Sequence, residues 1–338
     1  MTTRRTLIAA TGATAAAITG FPAILHAQGP ALRFSHTDTP VGKRQLAAEL
    51  FAKRVEELTN GRVKVQVFHS GQLANDARSL EQLQLGGLDI AVTGTVTYAT
   101  HVRALNLTAL PFVLETYEQG WKFYDDSPWL TSTFAQLQGR GMRILSTWEA
   151  GFRSFTTRNT AINSPADARG KKLRIAPVDM IRWIMEALGF QPVVLPVTEV
   201  YLAIQQGTVE GQENPVDTIL SQRFYEVAPF ITMSQHVYSP LPVAIAERVW
   251  QRLSPADRDA VMQAAKESAA FSRREVRAAE ADQLKEMEGK GAKVIRPVIG
   301  PFRDAMGPVH TKAREQYGSQ VDTVLAECEA IRKALPAA

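Results

Sequence analysis

The sequence predicts an α/β protein built as two similar lobes, and three observations carry that expectation. At about 150 residues per domain, a chain of 338 residues has room for two lobes. Strand, helix and strand follow one another between Ala31 and Val67, the order of a βαβ unit with a largely parallel sheet. One helix-to-strand device occurs twice. Leu80, Leu83 and Leu85 lead to Gly86-Gly87 and through Leu88-Asp89 into Ile90-Ala91-Val92, while Val200, Leu202 and Ile204 lead to Gly207 and through Val209-Glu210 toward Gly211-Gln212. Each copy sets glycine where the chain leaves a helix with positive φ, and an acid just before the strand. With 45% hydrophobic and 21% charged residues, the composition excludes disorder, coiled coil and collagen. A chain this long buries roughly 75% of the surface its unfolded form exposes, so the core needs no metal or disulfide staple.

The first element is an address. Arg4-Arg5 precedes Thr6-Leu7-Ile8 and a mildly apolar run ending at Phe21-Pro22-Ala23-Ile24-Leu25-His26-Ala27, the three-part form of a secretory signal. The arginine pair resembles a twin-arginine signal, with cleavage expected after Ala27. Gly12, Thr14, Thr19 and Gly20 dilute a run already shorter than the roughly 20 apolar residues of a spanning helix. The mature chain is therefore expected outside the cytoplasm. There Cys328, the single cysteine, has no partner in its own chain and reads as a bland thiol on the last helix.

Ala31 to Ser35 reads as a strand, and after His36-Thr37-Asp38-Thr39-Pro40 the residues Leu46, Leu50, Phe51, Val55 and Leu58 fall at helical spacing until Asn60-Gly61. Val63, Val65 and Val67 alternate with Lys64 and Gln66, as in a strand with one buried face. Ser164-Pro165-Ala166-Asp167 and Ser254-Pro255-Ala256-Asp257 each put serine at an N-cap, proline at the first helical position and a carboxylate at the third. The first opens a short turn closed by Gly170; the second opens a helix running to about Gly289. That helix would be about 50 Å long at 1.5 Å per residue, enough to run along both lobes. No Gly/Ser linker is present, so ordered crossovers must join the lobes.

The net charge of +4 owes half its size to Arg4 and Arg5. Arg273, Arg274 and Arg277 sit among Glu275, Glu280 and Asp282, a solvated helix face rather than a nucleic-acid stripe. No zinc-type His-Glu-x-x-His, phosphate-cradling glycine loop or Gly-x-Ser-x-Gly turn occurs, and the histidines at 36, 69, 101, 236 and 310 are scattered singly. The weight falls on a binding protein without catalysis, cofactor or metal.

Three residues could hold its ligand. In Lys172-Leu173-Arg174-Ile175, Leu173 and Ile175 share one face and leave Arg174 on the other, at the strand end where α/β sheets receive ligands. A guanidinium grips a carboxylate through two parallel hydrogen bonds. Arg153 lies in the β-rich string Gly151-Phe152-Arg153-Ser154-Phe155, and Asn214 in Gln212-Glu213-Asn214-Pro215. Taken alone, either arginine could equally be an ion-paired surface residue and Asn214 an ordinary turn residue before proline.

Leu173-Arg174-Ile175, the run from Val200 to Pro215 and Phe224-Tyr225-Glu226-Val227 closely resemble the extracytoplasmic solute-binding subunits of TRAP transporters, the DctP family. The resemblance covers essentially the whole mature chain and is most specific from Ala161 to Pro240. It implies a two-lobed periplasmic-binding-protein fold with a hinge and a long C-terminal helix spanning both lobes. Lobe I would be 28–150 plus 239–278, and lobe II 151–238 plus 279–338. It also implies a monomer that captures a small organic acid in the periplasm and hands it to the small and large integral-membrane subunits of an ion-gradient-driven transporter, with no nucleic-acid partner. By the same resemblance Arg174 forms the main salt bridge to the substrate carboxylate, Arg153 assists, and Asn214 hydrogen-bonds the ligand. Thr37 and the stretch Thr93 to Thr95 are expected at the pocket from the loops after the first and third strands.

Two stretches depart from the family pattern, Ala176-Pro177-Val178-Asp179 and Pro196-Val197-Thr198. Both can line the pocket, which leaves open a sugar acid, a hydroxy or keto acid, or a dicarboxylate. Trp148, Phe152 and Trp183 could supply an apolar wall, though aromatics so placed are more often core. The competing reading is a periplasmic enzyme acting on a small acid in the same cleft, with Asp179, Glu213 or His36 as its acid or base. A third is a ligand-sensing partner of a membrane receptor.

Overall fold

The computed structural model describes residues 31–337, so the expected signal segment at 1–27 lies outside the described residues. Eleven strands are described: β1 Leu32–Ser35, β2 Val65–Phe68, β3 Ile90–Val92, β4 Met142–Trp148, β5 Phe152–Thr157, β6 Lys172–Ile175, β7 Gln191–Val194, β8 Gly211–Pro215, β9 Phe230–Tyr238, β10 Leu241–Ala246 and β11 Lys293–Ile295. They form a five-stranded sheet in the order β2-β1-β3-β10-β4 and a six-stranded sheet in the order β11-β9-β5-β8-β6-β7.

The N-terminal βαβ unit forms as the sequence predicts. Helix Lys43–Leu58 joins β1 to β2, which pair in parallel from Leu32 opposite Val65 to Ser35 opposite Phe68. Both copies of the helix-exit device also form, with Gly86 at φ +86° and Gly207 at φ +78° delivering the chain toward β3 and β8. Each sheet is largely parallel, as expected, with one strand reversed. β10 is antiparallel to β3 and β4, and β5 is antiparallel to β8 and β9. The reason is connectivity: β10 enters the first sheet from the second half of the chain, so no βαβ crossover fixes its direction.

The chain passes between the sheets at Glu149–Gly151 and returns at Ser239–Pro240. These crossovers lie side by side, with Ser239 N donating to Gly151 O at 3.1 Å, Phe152 opposite Tyr238 and Trp148 opposite Leu241. Glu149 ties them to their surroundings. Its buried carboxylate accepts from Tyr238 Oη and Trp121 Nε1, both at 2.7 Å, and from the backbone N of Ala150 and Gly151.

The long helix runs from Pro255 to Gly289, capped by Ser254 Oγ, which accepts from Asp257 N at 3.1 Å. It spans the lobes, packing on Lys43–Leu58 and β4 in the first and on Val216–Ser221 and β11 in the second. Trp148 Nε1 donates to its Ser268 Oγ at 3.2 Å, and its Gln283 donates to Asp217 at 2.7 Å. The last helix, Gln320–Ala334, packs back on Tyr117–Asp126 of the first lobe. It buries Cys328, and burial pushes that thiol up to about 12, which leaves it protonated. Trp148, Phe152 and Trp183 are core. Among the described residues no helix is long and apolar enough to cross a membrane.

Candidate functional site

Three neighbouring strands of the six-stranded sheet, β5, β8 and β6, bring Arg153, Asn214 and Arg174 to one wall of a cavity between the sheets. Pairing aligns them, with Arg153 opposite Pro215, Ser154 opposite Asn214 and Arg174 opposite Gln212. The facing wall is made of loops and helix starts of the first lobe: Thr37, Arg44, Asp76, Gly94, Val96 and Thr97. Its empty space is about 550 Å³, mouth included. Ala176 and Val197, from the two departing stretches, also line it.

The two buried arginines differ in what they hold. Arg153 faces Glu213 with Nε and Nη2, and Nη2 also donates to the Glu213 backbone O at 2.8 Å and to Asn214 Oδ1 at 3.2 Å. Nη1 donates to Ser239 Oγ at 3.1 Å, beside the crossover. Glu213 is fully buried, which by itself would raise its carboxyl, but Arg153 and His236 hold it at about 2. Burial keeps His236 below its ordinary value and so neutral; Ser234 Oγ occupies its Nδ1 at 2.9 Å, and Nε2 donates to Glu213 at 3.3 Å.

Arg174 has no such partner. It is 3% exposed, and Nε to Leu195 O at 2.8 Å is the one hydrogen bond its guanidinium makes among the described residues. Burial pushes it down to about 10, against the pull of Glu213. It remains a cation at neutral pH whose terminal nitrogens lack a protein acceptor. A buried charge without a partner is costly, and an anion entering the cavity would remove that cost.

Asn214 is held from both sides, its Oδ1 by Arg153 and its Nδ2 by Gln212 Oε1. Thr37 donates to Asp76 Oδ1 at 2.9 Å and accepts from Arg44 Nη1 at 3.3 Å. Thr93 and Thr95 stand behind the wall rather than in it. Thr93 Oγ1 donates to Thr97 at 3.1 Å, and Thr95 Oγ1 donates to Pro240 O while accepting from Tyr124 Oη, both at 3.1 Å. Gly94, Val96 and Thr97 face the cavity in their place, because the short helix Thr95–Thr100 starts there and turns the chain. Sequence reasoning missed Arg44, Asp76 and Thr97. Arg44 and Asp76 stand in the first turns of the helices that follow β1 and β2, at the carboxyl edge of the sheet, and that position was the available signal.

The walls also touch directly. Ser221 Oγ donates to Asp38 Oδ1 at 2.7 Å, Thr39 Oγ1 to Ser221 O at 3.2 Å and Gln222 Nε2 to Thr37 O at 3.0 Å. Asp38 can lie there because residue 42 is glycine: a Cβ at Gly42 would come within 1.8 Å of Asp38 Oδ2. Beneath this clasp, burial and the nearby Asp38 charge raise Asp217 to about 6.

The proton-transfer candidates lie elsewhere. Asp179 is half-exposed and paired with Arg182 at 3.4 Å, and Glu213 is locked by Arg153. His36 is buried, accepting at Nδ1 from Asp38 N and donating from Nε2 to Gln45 at 2.8 Å; burial pushes it down to about 3. None of the three lines the cavity.

Comparison with known proteins gives one consistent picture. Residues 34–316 match the family described as "Bacterial extracellular solute-binding protein, family 7", DctP. The chain is 31% identical over 280 residues to the sialic acid-binding periplasmic protein SiaP of Vibrio cholerae, covering 83% of this chain and 87% of that protein. It is 31% identical over 330 residues to the C4-dicarboxylate-binding periplasmic protein DctP of Rhodobacter capsulatus, covering 95% and 97%. The crystal structure of a sugar acid binding protein from Advenella mimigardefordensis in complex with galactonate superimposes with a TM-score of 0.86 at 28% identity, covering 90% of this chain and 99% of that one.

Proposed function

Because the chain belongs to family 7 of the bacterial extracellular solute-binding proteins, the DctP family, we propose that the cavity between its sheets grips one small organic acid by the carboxylate. Its class is a TRAP-type solute-binding protein for carboxylates. The observation that carries the site assignment is Arg174, a buried cation on the cavity wall without a protein carboxylate. Its free nitrogens meet the substrate carboxylate. Arg153, already paired with Glu213, adds field more than contact, and Asn214 and Thr37 offer the nearest side-chain hydrogen bonds. Thr93 and Thr95 brace the wall through Thr97 and Pro240.

The acid is released unchanged to small and large membrane subunits of the transporter, and the protein works as a monomer, without catalysis and without nucleic acid. Relatives named periplasmic support a periplasmic place, reached through the twin-arginine signal at 1–27. The adjacent crossovers support a division into 28–150 with 239–278 and 151–238 with 279–338, the last helix reaching back onto the first lobe. Calorimetry with a library of organic acids tests the reading. A carboxylate should bind the wild type and its amide should not, with binding lost in Arg174→Ala. A ligand held equally well as acid and amide would overturn it.

A further inference from the structure

The charges around the cavity do more than call for an anion; they limit how many charges the ligand carries. Arg44, Arg153 and Arg174 contribute three positive charges to the lining, and Asp76 one negative charge. Glu213 neutralises Arg153 from behind. One positive charge is left over, and one carboxylate balances it.

Position matters as much as count. Asp76 begins the helix Asp76–Leu85, and its side chain is bonded to Thr37 rather than to any cation within salt-bridge distance among the described residues. It is close enough to Arg174 to pull on its charge. A ligand whose carboxylate sits on Arg174 therefore presents its far end to Asp76, Arg44 and Thr37. A carboxylate oxygen only accepts, so Asp76 asks for a hydroxyl hydrogen. Arg44 beside it donates, which suits the same hydroxyl's oxygen or its neighbour's. A second carboxylate at that end would meet Asp76 as a like charge in a water-poor site.

We infer that Asp76 selects polyhydroxylated monocarboxylates and rejects dicarboxylates, Arg44 and Thr37 completing the hydroxyl-reading end. The inference rests on the carboxylate reading above. It is not settled by kinship, since the relatives named above include both a dicarboxylate binder and a sugar-acid binder.

Calorimetry on the mature chain tests it with matched pairs: galactonate and galacturonate against galactarate, gluconate and glucuronate against glucarate, and succinate as a short dicarboxylate. In the wild type at least one monocarboxylate should bind about tenfold or more tighter than its matching dicarboxylate. Asp76→Asn should shrink that ratio at least about tenfold, by weakening the monocarboxylate and strengthening the dicarboxylate. A role in the fold alone would weaken both equally. Should Asp76→Asn misfold, as judged by the melting curve without ligand, Asp76→Ser serves in its place. A dicarboxylate that binds the wild type as tightly as every monocarboxylate, or an unchanged ratio in the variants, overturns the inference while leaving the carboxylate reading intact. If no acid of the panel binds, the carboxylate reading falls and this inference with it.

Discussion

The two walls of the cavity are built on opposite plans. The wall from the six-stranded sheet is a lattice of strand residues that fix one another: Glu213 holds Arg153, His236 holds Glu213, and Gln212 with Arg153 holds Asn214. The wall from the five-stranded sheet consists of one hydroxyl, Thr37, shared between Arg44 and Asp76, with the turn Gly94–Thr97 beside it. Rigid elements hold charge in place precisely enough to define a carboxylate site, whereas loops and helix starts accept substitution. On the proposed reading the fixed wall sets the chemical class, and the loop-built wall sets which member of the class fits.

The largest effect that would break this contrast lies at Glu213. Glu213→Gln leaves Arg153 buried with a diminished partner, and removing one member of a buried pair costs about 3–5 kcal/mol. Denaturant melts should show a loss of that order; a variant as stable as wild type would mean that the lattice is not what holds Arg153.

Arg174→Ala should do the reverse, costing about 2–5 kcal/mol of ligand binding, as truncation of a buried charge pair does, while leaving unliganded stability unchanged or raised. Arg174→Lys should fall between, because an ammonium cannot donate two parallel bonds. If calorimetry finds lysine equal to arginine, the carboxylate does not sit on Arg174.

Acid should weaken the loop-built wall first. His36 is about 3 in the fold against 6.5 as its ordinary value, so below pH 6.5 the unfolded chain takes up a proton that the folded chain refuses. Stability from His36 is complete above pH 6.5 and falls by about 1.4 kcal/mol per pH unit as the pH drops toward 3. Glu213 follows later: at about 2 against 4.5, its contribution is complete above pH 4.5 and is lost as the pH falls toward 2. Asp217, raised to about 6, works the other way below pH 6, so the check is the difference: between pH 7 and 5 the melting temperature should fall more steeply, or rise less, in the wild type than in His36→Gln.

The smallest effect sharpens the comparison at the clasp. Ser221→Ala removes the hydrogen bond to the Asp38 carboxylate, worth about 1.5–3 kcal/mol, and should speed ligand release in stopped flow without changing which acids bind. A change in preference among acids would place the clasp within the reading surface.

Much of this was legible in the chain. Periodicity and caps located the first βαβ unit, both glycine exits and the 35-residue helix, since each depends on residues close in sequence. The largely parallel direction was legible from the βαβ unit, but the reversed strand β10 was not, because it reaches the first sheet from beyond the second lobe. Arg153, Arg174 and Asn214 stood out through a resemblance, not through spacing. Arg44 and Asp76 did not, because a charge in a first helical turn looks the same whether it faces solvent or a cavity. Of the stretch Thr93 to Thr95 it is Gly94 that lines the cavity, followed by Val96 and Thr97, on a turn whose pitch the sequence does not declare.

The two crossovers and the long helix have a mechanical consequence. Two short ribbons side by side, pinned at Glu149, define a line, and a third connection crossing both lobes blocks sliding and shear. A relative motion of the lobes should therefore run chiefly as a rotation about that line. A single pair of fluorophores, one on each lobe, would then describe the whole motion, and every pair would trace the same curve during a titration.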